Sequence, residues 1–154
     1  MRLHSFAVLT VFLFALPAFA ADVSFEEGIE YANPDNQHLK LNLARPKDVA
    51  DNARLPAIVC IHGGGFRAGD RAGWNDRCKK LAGRGYVAVT VTYRLAPKNQ
   101  FPAAVQDVKA AVRWLRANAA RYHIDPERKL IVHGTQPAQF SRPSALANNA
   151  KSSP

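Results

Sequence analysis

The feature that most constrains this chain is the run Ile58-Val59-Cys60-Ile61, broken at once by His62-Gly63-Gly64-Gly65-Phe66. A β-branched apolar run of this kind suits a buried strand. Three glycines in succession suit a backbone that must turn tightly and let another group come close. Successive main-chain N–H groups in such a turn hold negative charge. A strand that ends here therefore offers an anion site at its carboxyl end.

The flanking segments say what sheet that strand joins. Residues 22–31 form an early strand, Asn33-Pro34-Asp35-Asn36 is turn chemistry, and Leu39-Lys40-Leu41-Asn42-Leu43 alternates as a half-buried strand does. Together they predict a hairpin. Ala57–Ile61 is the third strand. Trp74 to Arg84 reads as a helix that stops at Gly85, and Tyr86 to Tyr93 is the strongest strand signal in the chain. A second helix runs from about Ala103 to Ala120, with Val105, Val108, Val112 and Leu115 on one face. Asp125-Pro126 breaks that pattern, and Lys129–His133 is a last strand. From the third strand on, the order β-α-β-α-β predicts an α/β fold with a mostly parallel sheet flanked by helices. The two helices take opposite faces only if the strand order reverses.

A chain of 154 residues is one domain at most. Residues 1–20 read as a signal peptide: Met1-Arg2 is basic, Phe6 to Leu16 is mostly apolar, and Ala18-Phe19-Ala20 is a small-x-small cleavage site. Cleavage before Ala21 would leave a secreted or periplasmic chain with no stable membrane anchor. That chain keeps 20 basic against 12 acidic residues. The basic residues are scattered, without the runs and interleaved aromatics of a nucleic-acid module, so no nucleic-acid partner is expected. Cys60 and Cys78 lack the His or Cys neighbours of a metal site, and no cofactor motif appears. A disulfide and a pair of buried free thiols both stay open. Residues 135–154 carry Pro137, Pro143 and Pro154 without a period, and read as a divergent, disordered tail.

Several motifs in order carry a family resemblance. They are His62-Gly63-Gly64-Gly65, Tyr93-Arg94-Leu95-Ala96-Pro97, Phe101-Pro102-Ala103-Ala104, Val112-Arg113-Trp114-Leu115 and Ile124-Asp125-Pro126-Glu127-Arg128. Across residues 23–134 the chain resembles α/β-hydrolase esterases and lipases of the hormone-sensitive-lipase-like and feruloyl/acetylxylan-esterase-like branches. The resemblance implies the N-terminal part of an α/β-hydrolase domain over 21–134, truncated after the fifth strand, with the third strand central. It implies that Gly63 and Gly64 are oxyanion donors, that His62 and Gly65 support the loop, and that the partner is a small ester. Asp107 pairs with Arg94 as a structural pair and does not act as a catalytic acid.

The same resemblance puts a Gly-x-Ser-x-Gly elbow after the last strand. Gly134 takes the first place, but Gln136 stands where Ser belongs, Ala138 replaces the second Gly, and Pro137 has no N–H to donate. Ser141 and Ser144 have no elbow around them, and Thr135 is one residue early. No Asp, Glu or His follows Gln136, while His123 and His133 precede it. The expectation is an exported carboxylic-ester hydrolase that keeps its oxyanion loop, lacks its triad and is inactive as written. A frameshift or false gene end would produce such a break. The alternative is a non-catalytic scaffold or binding protein of the same fold. An uncovered Lys129–His133 edge would invite self-association.

Overall fold

The computed structural model describes residues 22–128 and 131–134. The expected signal peptide over 1–20, positions 135–138 where the elbow is expected, Ser141, Ser144 and the rest of the expected tail lie outside the described residues. Five strands build one sheet: β1 (Val23–Ala32), β2 (Leu39–Pro46), β3 (Ala57–Ile61), β4 (Val87–Val91) and β5 (Ile131–Gly134). Two helices join it, α1 (Asn75–Ala82) and α2 (Ala103–Ala117).

The sheet order is β1-β2-β4-β3-β5. β1 and β2 form the expected antiparallel hairpin, and β2 pairs antiparallel with β4. β3 runs parallel to β4 on one side and to β5 on the other. The connection from β3 steps one way to β4, and the next steps back past β3 to β5. Right-handed crossovers then put α1 and α2 on opposite faces. Among the described strands β4, and not β3, holds the middle place, because the hairpin adds two strands beyond β4; β3 is interior beside it.

Side-chain alternation sorts the two faces. Leu41, Leu43, Val59, Ile61, Val87, Val89 and Val91 point to the larger core, where Val108, Ala111 and Leu115 of α2 close it with Tyr122 and Ile124. Ala44, Ile58, Cys60 and Ala88 point the other way, to Cys78 and Ala82 of α1. The buried stripe of α2 is Ala103, Asp107, Val108, Ala111 and Leu115. Val105 and Val112 flank that stripe half-buried, because small Ala103 and Ala111 let the helix sit close on the sheet.

Element ends differ from the sequence reading in instructive ways. Arg71–Trp74 is a separate 3-10 turn before α1, and its start is capped by Asp70, whose Oδ1 accepts the Ala72 N–H. α1 stops at Ala82, and the chain leaves through residues 83–85 with Gly85 N bonded to Ala82 O and Tyr86 N to Leu81 O. β4 stops at Val91, so Thr92 and Tyr93 belong to the loop beyond it.

That loop is pinned to α2 by a buried ion pair. Arg94 Nε reaches both Asp107 oxygens at 3.1 and 3.0 Å, and Nη2 reaches Oδ1 at 2.8 Å. The Arg94 backbone N–H donates to Oδ2 at 2.9 Å, and Nη1 reaches Asp35 Oδ2 at 2.9 Å. Hydrogen bonding to Asp107 holds the Arg94 guanidinium above its ordinary value. Asp107 is 2% exposed, so removing it strands a buried guanidinium and a backbone N–H. Asp107→Ala is expected to lower unfolding free energy by about 3 kcal/mol in urea melts, with a smaller loss for Asp107→Asn, which keeps acceptor oxygen. Equal midpoints for wild type and both variants would remove the pair from the account.

Candidate active site

Parallel strands release their chains at the same end of a sheet. β3 ends at Ile61 and opens into the glycine loop 62–70; β4 ends at Val91 and opens into the loop of Tyr93 and Arg94. His62 is buried, and its ring lies flat on that of Tyr93, with centroids 4.3 Å apart and planes within 13°. Phe66 meets the Tyr93 ring edge-on at 6.3 Å.

Two hydrogen bonds set the loop. Tyr93 Oη donates to the His62 carbonyl at 2.8 Å. His62 Nδ1 lies 2.9 Å from the Gly63 carbonyl, a contact that needs an N–H, so the network assigns the proton to Nδ1. Tyr93 Oη, 3.3 Å from Nδ1, is then a second acceptor for it.

A trans peptide points its C=O and the next N–H in opposite directions. The His62 carbonyl is held toward Tyr93, so the Gly63 N–H points away from it. The Gly63 carbonyl is held toward the His62 ring, so the Gly64 N–H points away from that ring. Among the described residues neither N–H is donated to a backbone acceptor. Two adjacent donors fixed this way can receive one anionic oxygen, and they need no reorganisation when charge develops on it.

The glycines serve different ends. Gly64 has φ +123°, and a Cβ there would overlap the Ala68 carbonyl. Its own carbonyl accepts Arg67 N at 3.0 Å and Ala68 N at 3.2 Å, which closes the turn. Gly65 has φ +61° with open space around it, so its backbone angle alone favours glycine. Gly69 has φ +109°, and a Cβ there would overlap the His62 ring and the Gly63 carbonyl. Sequence reasoning misses Gly69; its signal is one more glycine just before the Asp70 cap.

Sequence reasoning also misses the anchor at the far end of the loop. Arg71 Nε donates to Asn42 Oδ1 at 3.0 Å, and Nη1 donates to Thr92 Oγ1 at 2.9 Å. The Arg71 carbonyl accepts Thr90 Oγ1 at 3.0 Å. Asn42, 2% exposed on β2, also takes the Gly28 N–H and gives its own amide to Asn75. A lone Asn within an alternating strand is the available hint. Tyr31 Oη donates to the Thr92 carbonyl, and burial, with the Asp107 charge beside it, pushes its ionisation up so that it stays a donor.

The two loops also join directly, Ala96 N donating to Phe66 O at 2.8 Å. Beside that bond lies a cavity of about 120 Å³ bounded by apolar Phe66, Ala96, Phe101, Pro102, Ala104 and Val105 and by polar Arg94, Asn99 and Gln100. Of the two other histidines weighed in the sequence, His123 bonds Leu55 through its carbonyl, ahead of β3 and at the opposite end of that strand from the loop. His133 lies in β5 opposite Cys60. Gly134 stands in register with Ile61, so β5 ends level with the start of the glycine loop.

A family model described as BD-FAE matches residues 41–151, beginning and ending later than the motif-bearing stretch 23–134. Carboxylesterase NlhH of Mycobacterium tuberculosis is 40% identical over 84 residues, covering 54% of this chain and 26% of that protein. Esterase LipQ of the same organism is 29% identical over 117 residues, covering 75% of this chain and 28% of that protein. The solved thermophilic esterase Est2 of Thermogutta terrifontis superposes with a TM-score of 0.63 at 34% identity, covering 77% of this chain and 41% of that one. The chain thus spans about a quarter of the length of the first curated relatives.

Tyr93→Phe keeps the ring stack and deletes the bond to the His62 carbonyl. The expected loss is about 1–2 kcal/mol, with faster hydrogen exchange at Gly63 and Gly64 while β4 amides keep their protection. Unchanged exchange in the loop would show that the hydroxyl does not hold it.

Proposed function

The chain belongs to the BD-FAE family, within the α/β-hydrolase esterases its relatives represent, and from that premise we propose that loop 62–70 is an oxyanion hole for acyl transfer from esters. The Gly63 and Gly64 N–H groups are the donors, and His62 and Gly65 support them. One observation carries this reading: both carbonyls of that turn are tied inward, at 2.8 and 2.9 Å, which turns both N–H groups outward. The chemistry served is attack on an ester carbonyl, negative charge on its oxygen, departure of the alcohol, and later release of the acid by water. Short acyl groups fit the 120 Å³ cavity beside Phe66. The Thermogutta esterase has been solved with butyrate and with propionate bound, which supports the same class here.

The nucleophile's place falls to Gln136, two residues after the strand end at Gly134. A glutamine amide does not attack esters, so this chain carries the anion-binding half of the chemistry without its nucleophile. Gln136 is also what favours the second reading, a scaffold that retains the anion site for binding. Residues 1–20 direct export and are removed before Ala21, and the β5 edge permits self-association.

The test is a chimera of residues 21–134 with the part of the Thermogutta esterase that lies beyond the matched region. It is expected to hydrolyse p-nitrophenyl butyrate, to lose roughly 10²–10³-fold in kcat on Gly64→Ala, and to surpass the unmodified chain, which should match the buffer blank. A folded but inactive chimera would overturn the oxyanion assignment. Turnover by the unmodified chain would overturn the reading of Gln136.

A further inference from the structure

The chain has two cysteines, and the fold brings them together. Cys60 sits one residue before the end of β3 and Cys78 in α1, both at 0% exposure in the smaller apolar cluster between sheet and helix. Both are free thiols, and their side chains hydrogen-bond each other. The bond is unequal. Accepting from Cys78, with the Arg77 charge near, pulls the Cys60 thiol down against the effect of burial. Donating to Cys60, and burial, push Cys78 up. Cys60 is thereby the readier nucleophile of the two. Among the described residues no group of three or more His, Cys, Asp or Glu gathers into a metal site.

We propose that Cys60 and Cys78 are a disulfide-forming pair, closed by thiol–disulfide exchange with a small disulfide such as oxidised glutathione. The Cys60 thiolate attacks one sulfur of the oxidant, and the other sulfur leaves as a thiolate. Cys78 gives its proton to that thiolate and attacks the Cys60 sulfur of the mixed disulfide. The second half of the oxidant then leaves as a thiolate and takes up, through solvent, the proton that Cys60 released. Two protein S–H groups become one S–S bond, and one oxidant disulfide becomes two thiols.

The neighbours permit closure. Three of the four other buried members of their cluster are the small residues Ala44, Ala82 and Ala88. The position gives the bond a consequence. The ring it closes contains the whole glycine loop and the Arg71–Trp74 turn. A cross-link there restricts the unfolded ensemble of the segment that forms the anion site. Because both sulfurs are fully buried, exchange has to wait for local opening, so the rate should level off as oxidant is raised.

The test uses the full chain, purified reduced and equilibrated in glutathione buffers from fully reduced to fully oxidised. Samples are quenched in acid, unfolded with N-ethylmaleimide and weighed intact. The expected result is a monomer that loses both maleimide labels and two hydrogens under oxidising buffer, yields a linked Cys60–Cys78 peptide, and melts at higher urea than the reduced form. Cys78→Ala should instead end as a single glutathione adduct. Two maleimide labels at every buffer ratio, or linkage found only between chains, would overturn the proposal.

Discussion

A peptide unit cannot turn its carbonyl inward without turning the next N–H outward. The glycine loop is built on that constraint applied twice in succession. Tyr93 takes the His62 carbonyl and His62 takes the Gly63 carbonyl, and the two stacked rings hold each other in place while they do so. Glycine at Gly64 and Gly65 makes the turn sterically possible. It does not choose among the many conformations glycine allows. The choice comes from two aromatic side chains, one before the turn and one a strand away.

The two rings stay in place because polar groups under the loops are satisfied. Arg71 ties the end of the glycine loop to β2 and to the exit of β4, and Arg94 ties that exit to α2. These are buried or half-buried charges in a small domain, and such groups are costly unless every donor has an acceptor. Arg94 spends donors on Asp107 and Asp35; Asp107 accepts from both the side chain and the backbone of Arg94. The arrangement works as a set of satisfied donors and acceptors. It makes alternative positions of the loops expensive, which is what a preorganised site requires.

The sheet was legible because its signals are local. β-branched runs marked β3 and β4, alternation marked β2, and turn residues marked the hairpin. The glycine loop was legible too, from composition at the end of a strand. What holds the loop was not. Tyr93 is 31 residues from His62, and Arg71 is 29 from Asn42, separations at which no period or propensity carries information. The stripe of α2 was legible in part: Val108 and Leu115 lie in the core and Val112 packs against it half-buried. Valines at helical spacing look like the core face, but close packing on the sheet selects Ala111, and Arg94 selects Asp107. Gly69 escaped notice because its need for a missing Cβ arises only when the loop folds back over His62.

The bonds that brace the glycine loop all join residues between Gly28 and Ala96, and the ion pair reaches no further than Asp107. β5 begins at Ile131 and adds to β3 along its other edge. The loop is therefore complete in its supports before the last strand is needed. On a chain made from its amino end, the glycine turn can be shaped while β5 is still inside the ribosome. Bracing then follows chain order: the turn is tied down before the strand that ends at Gly134 has been laid down.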